Sequence, residues 1–392
     1  MSFSAISQRF FQHPVWLVGF RPFFILSFVS GALLPVLWFL VFSNYLTLNS
    51  GLTPRQWHAH EMFFGFGWAV LGGFLLTSTK NWVKVRGYHG AILFVLVILW
   101  FVDRLAFLLP SACPAALIVL LHNAFLLTIL ALLLWTLIAN RKNDTYPENW
   151  LFIVGLPLFL LSKNLLLSSE YFEVGWTMAL GLFRLAVVIM LERTLAQFMK
   201  AIFKVDVLKN KKLNSAIRVG ILVAVFEAVL PVPVAVAVLV TTAMLLLYRF
   251  FFWSPLKGMS RLDLGVMYVG YLSLVLSMLL ECLRLMGKLN TVGNVATHTF
   301  TLLCMGLIIP AMLVRISLGH TGRKVIFTGS DKFAIYISGL GAFLRIVPPQ
   351  IWPANYQTFI LLSALCWMIC FLLIGWRITP FLLKPRIDGK EH

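Results

Sequence analysis

The sequence predicts an all-α protein, a polytopic bundle of about twelve transmembrane helices with both termini in the cytoplasm. Of its 392 residues, 60% are hydrophobic and only 12% are charged, whereas a soluble domain usually carries about 25% charged residues. The apolar residues fall in stretches of about 20, the length that a helix needs to cross a bilayer. The basic residues lie between those stretches, where they orient a membrane protein.

Twelve such stretches follow one another along the chain. We predict spans at residues 23–43, 59–79, 90–109, 113–138, 149–168, 173–193, 215–231, 233–253, 264–286, 295–316, 333–351 and 356–378. Pro231 and Pro233 separate the seventh span from the eighth, which predicts a tight hairpin. A loop at 194–214, with the basic stretch VLKNKKLN, divides the single predicted membrane domain (1–392) into six-helix halves at about 1–193 and 215–392.

The distribution of Lys and Arg predicts the direction of each span. With the N-terminus inside, the inner loops contain 20 Lys and Arg, whereas the outer loops contain Arg55 and Lys288. Cytoplasmic loops carry such an excess of positive charge, and one missed or added span would reverse the pattern downstream. Because the net charge of +18 is spread over these loops, it does not form the continuous basic patch of a nucleic-acid-binding protein.

The cysteines and the N-terminal segment exclude two further classes. The five cysteines are an odd number, they lie in or beside apolar segments, and they form no CxxC pair. They are therefore not the framework of a disulfide-rich secreted protein. Residues 1–20 lack an apolar core followed by a small-residue cleavage site, so we expect no cleavable signal peptide.

Ionisable side chains inside predicted spans are the first candidates for a functional site, because a charge in the bilayer is costly. Arg104, Lys163 and Arg184 lie deep in spans and need partners. Asp103 and Glu227 are the available carboxylates, and a carboxylate of a buried cofactor is the alternative.

Other charged residues in the spans have simpler explanations. Arg249 and Arg377 lie near the inner ends of spans, and we expect their side chains to reach the membrane interface. Glu281 and Arg284 are three residues apart on one helix, and we expect them to pair.

Four histidines are predicted near the outer side of the bilayer, on three helices: His58, His60, His122 and His298. Imidazoles at similar depth can ligate a metal ion or haem iron. The alternative is that each histidine only forms hydrogen bonds near a helix end, and we favour this alternative for His122, which precedes Asn123.

The start of the second span refines this prediction. Thr53 and Pro54 are typical of a helix cap followed by a first helical residue. In an α-helix, His58 and His60 then lie about 200° apart around the axis, so they cannot ligate one ion together. Glu61 is placed to accept a hydrogen bond from the ring of a ligating histidine.

Three segments resemble the NnrS family. They are GFRPFF at Gly19–Phe24, WHAHEMFFGFGWAVLGGFLLTSTKNW at Trp57–Trp82, and Thr297–Arg323, which ends in RISLGHTGR. The WHxHEM and GHTGR motifs are specific, and the three blocks occur in the expected order. The resemblance implies a bacterial inner-membrane protein of twelve helices that binds haem b and copper. It also implies a role in the response to nitric oxide, in denitrification or nitrosative stress.

The positions that match the family pattern become candidate cofactor-binding residues. They are His58, His60, Glu61, His298, Arg21, Arg315, His320 and Arg323. Among them, His58, His60 and His298 are the candidate metal ligands, with haem held by His298 and by one of the other two. His320, in a loop on the inner face, lies a bilayer away from His58 and should not share its metal.

The sequence contains weaker evidence for a copper site than for a haem site. Soft Cu(I) favours sulfur and imidazole, and Met62 near His58, Cys304-Met305 and the pair Cys366 and Cys370 are candidates. Tyr268 and Ser168 stand where the family pattern leads us to expect histidine.

The implied partners are membrane lipid and nitric oxide. A secondary transporter without a redox cofactor is the alternative function, because twelve helices divided six and six by a basic loop are common among transporters. The loop after the second span, KNWVKVRGYHG, does not resemble the signature of the major facilitator class.

Overall fold

The computed structural model describes residues 9–48, 51–109 and 113–390, and this part of the chain contains helices and no β-strand. Its principal helical segments are α1 (Phe20–Phe42), α2 (Pro54–Trp82), α3 (Ala91–Leu108), α4 (Ala115–Ala139), α5 (Pro147–Leu167), α6 (Phe172–Phe203), α7 (Lys211–Ala224), α8 (Val232–Phe251), α9 (Leu262–Leu285), α10 (Val295–His320), α11 (Gly329–Ile351) and α12 (Pro353–Leu382). All of these except α7 are long and apolar enough to cross a membrane. The predicted polytopic helical bundle is confirmed.

The seventh segment is shorter than expected for the span at 215–231. Helix α7 has 14 residues and begins with the polar sequence KKLN, and Asn210 caps it by accepting a hydrogen bond from the Leu213 amide (3.1 Å). It ends at Ala224, and a 3₁₀ turn at Glu227–Val229 follows before α8 begins. A charged residue and two prolines close together explain why the helix does not continue.

The loop after α6 is also shorter than predicted. Helix α6 continues ten residues beyond the expected end at 193 and stops at Phe203, where Lys204 adopts a left-handed conformation (φ 56°). The connection to α7 therefore covers residues 204–210 rather than 194–214.

Helix α2 begins as the sequence predicts. The Thr53 side chain accepts a hydrogen bond from the Gln56 amide (3.3 Å), the Gln56 side chain accepts one from the Thr53 amide (3.0 Å), and Pro54 is the first helical residue. This reciprocal capping satisfies backbone donors that a helix start leaves unpaired.

Two helices widen into π-helix directly after a histidine. In α2 the π-helix covers Glu61–Gly67 and follows His60, and in α10 it covers Thr299–Met305 and follows His298. Such i→i+5 segments are rare and are frequent at functional sites. They mark the same two motif blocks that the sequence singled out.

The chain divides into two compact units. The first comprises 1–169, 313–326 and 371–392, and in it α2 packs against α1, α4 and α5, while α3 packs against α4. The second comprises 170–312 and 327–370, and in it α9 packs against α6, α8 and α10. The organisation as a single membrane domain stays a prediction.

Candidate metal centre

His60 is the most deeply buried of the candidate ligands, with no exposed surface. Its Nδ1 lies 2.9 Å from Oε1 of Glu61, the acceptor that the sequence predicted for a ligating histidine. Its Nε2 has no hydrogen-bond partner and lies 3.6 Å from Oδ1 of Asp103. Both ring nitrogens therefore face carboxylates.

Asp103, near the end of α3, connects the surrounding polar groups. Its Oδ1 lies 3.2 Å from Nδ1 of His122 on α4, and its Oδ2 lies 2.7 Å from Nζ of Lys163 on α5. Lys163 also donates to the carbonyl oxygen of His122. The expectation that Asp103 is available as a partner for Lys163 is confirmed.

Arg104 joins the two carboxylates of the cluster. Its Nη1 lies 3.1 Å from Oδ2 of Asp103 and its Nε lies 3.5 Å from Oε2 of Glu61. The guanidinium also stacks over Trp100, at 4.5 Å from the ring centroid. Two carboxylates and two basic groups thus balance in charge, which is what allows them to be buried together.

Gly65, inside the π-helix of α2, makes room for this contact. A Cβ atom there would lie 3.0 Å from Oε2 of Glu61 and 3.4 Å from Nε of Arg104. Its carbonyl oxygen also accepts a hydrogen bond from Nε1 of Trp100 (3.1 Å). Because Gly65 has no side chain, Arg104 of α3 can approach the side chain of Glu61.

Three of these residues form a candidate metal-binding group. One ligand atom each from His60, Asp103 and His122 lie within 4.8 Å of one another, and all three residues are buried. Two imidazoles and one carboxylate oxygen are a donor set that suits transition metals. Phe107 packs against both rings, at 4.8 Å from His60 and 4.2 Å from His122. The residues fit a metal, because His60 Nε2 is a buried acceptor that lacks a donor.

His58 points away from this group, as the helical geometry predicted. Its ring stacks on Trp38, with centroids 4.2 Å apart and planes at 22°, and it is partly buried. Glu61 lies against His60 rather than against His58, with which the sequence placed it on one helix face.

His298 belongs to the second unit. Its Nδ1 lies 2.7 Å from the carbonyl oxygen of Asn294. A hydrogen bond from Nδ1 to a backbone carbonyl is typical of ligating histidines, because it leaves the lone pair on Nε2.

The remaining candidates lie elsewhere. Arg21 and Arg323 have electrostatic contact with each other, and Arg21 has it with His320, at the far end of α2 from His58. Because Lys80 of α2 interacts with His320, His320 and His58 are separated by roughly 30 Å of helix at ~1.5 Å per residue. Arg315 is partly buried within α10.

Charged residues in the second unit pair as predicted, with one exception. Arg184 Nη1 lies 3.4 Å from Oε2 of Glu227, and Arg284 Nε lies 2.8 Å from Oε1 of Glu281. The exception is Arg249: the prediction that its side chain reaches the membrane interface is wrong.

Arg249 is instead fully buried. Its Nε donates to the Tyr271 hydroxyl (3.0 Å), its Nη1 lies 3.4 Å from Oε2 of Glu192, and its guanidinium stacks on Trp253 (4.5 Å). Tyr271 and Glu192 lie on other helices. The position of Arg249 within its own span does not show that these helices are neighbours.

The sequence singled out Asp103, Arg104, His122 and Lys163 as polar residues of the spans but did not place them among the candidate cofactor-binding residues. The signal that identifies them is the occurrence of ionisable residues in three successive spans, which must find partners in the bilayer. Among the described residues, no cysteine joins a group of three His, Cys, Asp or Glu side chains that could hold a metal ion.

A comparison with known protein families identifies a match over most of the sequence. The family model described as NnrS protein matches residues 14–386, nearly the whole chain. No curated protein matches the chain.

Proposed function

Because the chain belongs to the NnrS family, whose members are membrane proteins of the nitric oxide response, we propose that it is a haem- and metal-binding protein of the bacterial inner membrane. Nitric oxide is its proposed ligand, in denitrification or nitrosative stress. Haem b and copper are the proposed cofactors. No observation favours the alternative of a secondary transporter.

The position of His60 between two carboxylates carries the proposal. A neutral imidazole has one N–H, so it can satisfy either Glu61 at Nδ1 or Asp103 at Nε2, but not both. In a buried site the second nitrogen then needs a proton or a metal cation opposite the carboxylate. Glu61 holds the proton on Nδ1, and we assign Nε2 as the metal-ligating atom, with Asp103 and His122 as the further donors.

Haem iron requires a neutral imidazole, and His298 is the proposed ligand. The Asn294 carbonyl oxygen fixes the proton on Nδ1 and directs the lone pair of Nε2 outward from that bond. A haem with an open coordination position binds nitric oxide at its iron. The protein fixes the tautomer of each imidazole.

The lysine and arginine beside Asp103 tune the proposed metal centre. Lys163 and Arg104 occupy Oδ2 of Asp103, which leaves Oδ1 toward the two imidazoles. Their positive charges lower the electron density that Asp103 donates and partly offset the negative charge of the site.

The experiment measures haem and metals in the same purified samples. Haem is read from the Soret band, and copper and iron from elemental analysis, in the wild type, His60→Ala, His298→Ala and His58→Ala. We expect His60→Ala to lose a metal, His298→Ala to shift or abolish the Soret band, and His58→Ala to resemble the wild type. Wild-type metal content and an unchanged Soret band in all variants would refute the assignment.

A further inference from the structure

A buried ion pair in the second unit leaves polar atoms without partners. Arg184 of α6 has no exposed surface, and its Nη1 lies 3.4 Å from Oε2 of Glu227, in the 3₁₀ turn after α7. Among the described residues, Nε and Nη2 of Arg184 find no acceptor, and Oε1 of Glu227 finds no donor. Buried polar atoms are normally satisfied, so unsatisfied donors beside an unsatisfied acceptor indicate a further group between them.

A second buried carboxylate lies within electrostatic range of this pair. Glu281, near the end of α9, has no exposed surface and interacts with Glu227. Nε and Nη2 of Arg284 both donate to its Oε1 (2.8 and 2.5 Å), whereas its Oε2 has no partner within the described part of the chain. Each carboxylate therefore has one oxygen paired with an arginine and one oxygen without a donor. We call Arg184, Glu227, Glu281 and Arg284 the carboxylate cluster.

The fully buried charges of the carboxylate cluster do not balance. Arg184 is withdrawn from its surroundings, whereas the side chain of Arg284 is 37% exposed, so the charge of Arg284 acts more weakly. Two buried carboxylates therefore face one fully buried guanidinium. Neighbouring carboxylates resist being charged together in a buried site, and such a pair retains a proton.

The carboxylate cluster extends inward from one end of the second unit. Glu227 lies in the turn before α8 and Glu281 near the end of α9, and loop charge predicts both positions on the outer side. Arg184 lies about three turns from the start of α6. Its guanidinium approaches Phe300, in the π-helix of α10, at 5.8 Å from the ring centroid. The cluster therefore extends from the outer end of α9 to the π-helix that follows His298.

The unsatisfied atoms limit the kind of group that suits this place. A metal ion would be repelled by Arg184, and an anion would be repelled by the two carboxylates. Water accepts hydrogen bonds from a guanidinium and donates hydrogen bonds to a carboxylate. A buried water molecule typically makes about three hydrogen bonds to polar groups that are otherwise unsatisfied. Water together with a proton therefore matches the donors and acceptors of the cluster.

We propose that Glu227 and Glu281 share one exchangeable proton, which passes between them through water bound to Nε and Nη2 of Arg184. The O–H bond of the protonated carboxyl group breaks as its proton moves to water, and a proton of that water forms the new O–H bond on the other carboxylate. No electron is transferred, and the total charge of the cluster is unchanged. The proton enters from the outer solution, on the side of the partly exposed Arg284.

The charged and titratable groups around the two carboxylates come from three helices. The arginines of α7 and α8 are not among them, because Arg218 and Arg249 bind Glu192. The groups with electrostatic contact to the carboxylates or to their arginines are Arg184 and Glu173 of α6, Cys282 and Arg284 of α9, and Cys304 of α10. Because a nearby positive charge favours the carboxylate form, loss of either arginine should allow the proton to persist to higher pH.

The test is infrared difference spectroscopy of the full-length protein in neutral detergent, between acid and alkaline pH. A carbonyl stretch of a protonated carboxyl group should disappear on the alkaline side and should shift in D₂O. Glu227→Gln and Glu281→Gln should each lose this component, because the carboxylate that remains is paired with an arginine. Arg284→Gln should keep the component to higher pH than the wild type.

Glu170→Gln is the matched control, because Glu170 is an exposed glutamate outside the cluster, and this variant should match the wild type. A wild-type spectrum in both Glu227→Gln and Glu281→Gln would overturn the proposal. If these variants fail to fold, dicyclohexylcarbodiimide, which reacts with protonated carboxyl groups in apolar surroundings, is applied to the wild type. Mass spectrometry should then find the label on Glu227 or Glu281, several-fold less at alkaline pH, and absence of the label from both residues would also overturn the proposal. These measurements contain no haem or copper readout, so their outcome is independent of the proposed function.

Discussion

Nε2 of His60 lies 3.6 Å from Oδ1 of Asp103, and neither a lysine nor an arginine donates to that nitrogen. Lys163 and Arg104 both approach Oδ2, the other oxygen of the same carboxylate. The two oxygens of Asp103 therefore have different tasks: one holds the basic residues of α3 and α5, and the other faces the imidazoles. Substitution of Asp103 should therefore affect both the basic residues and the metal.

Asp103→Asn should both destabilise the protein and reduce its metal content. The change removes the partner of Lys163 and leaves a buried charge unpaired, for which the usual cost is about 3–5 kcal/mol. The measurement is thermal unfolding of the purified protein together with elemental analysis. In Asp103→Asn/Lys163→Met the lysine charge is absent, so stability should recover in part while the metal stays lost. Unchanged stability in Asp103→Asn would contradict the pairing.

Glu61→Gln should weaken metal binding, and it should destabilise the protein less than Asp103→Asn because Arg104 keeps Asp103 as a partner. A neutral amide holds the ring N–H of His60 less strongly than a carboxylate, and substitutions of such partners commonly reduce metal affinity about 10–100-fold. Metal competition with a chelator measures the affinity. Glu170→Gln, at an exposed position before α6, is the control and should match the wild type. Equal affinities of the two variants would exclude the role of Glu61.

Gly65→Ala should disturb the contact between Glu61 and Arg104 without adding or removing charge. The new methyl group would lie 3.0 Å from Glu61 Oε2 and 3.4 Å from Arg104 Nε, so one of the two must move. We expect a destabilisation of about 1–3 kcal/mol and weaker metal retention. Gly329→Ala is the control, because nothing lies within 4 Å of the added methyl there. A Gly65→Ala protein as stable as the control would show that the contact is dispensable.

Reporter fusions test the orientation of the helices. A reporter that is active only in the cytoplasm should work when fused at Lys390 and should be silent at Lys288, because the two positions are predicted on opposite sides of the membrane. Activity at Lys288 would show that the predicted orientation is reversed.

Hydropathy and loop charge were sufficient to locate the helices, since a bilayer imposes both the length of a span and the side on which Lys and Arg accumulate. They did not predict that α7 ends at Ala224 or that α6 continues to Phe203. Those ends depend on local breaks in the helix and on polar contacts, such as the ion pair between Arg218 and Glu192. A hydropathy average over a window of residues does not depend on such contacts, so it does not predict where these helices end.

The site was predictable only in part. Charge complementarity limited the carboxylate partners of Lys163 to Asp103 and Glu227, and helical geometry separated His58 from His60. The meeting of His60 with Asp103 and His122 requires knowing that α2, α3 and α4 are neighbours, and apolar spans do not specify their neighbours through hydropathy. The sequence favoured His122 as a hydrogen-bonded histidine near a helix end, and its hydrogen bond with Asp103 (3.2 Å) is compatible with that interpretation, so its role as a metal ligand stays a proposal.

The first unit contains residues from both ends of the chain, since 313–326 and 371–392 pack with 1–169. Helices α1–α5 leave the ribosome long before Leu382 and Lys384 are synthesised, whose carbonyl oxygens accept hydrogen bonds from Arg21 Nη1 (2.7 Å each). During that interval the polar groups of α1 and α2 at the inner face must be tolerated by lipid, by water or by the insertion machinery. Assembly of this half of the protein is therefore completed only after the segment that begins at Phe371 has been synthesised, and a chain that terminates before Phe371 is expected to be a substrate for membrane proteolysis rather than a partially active protein.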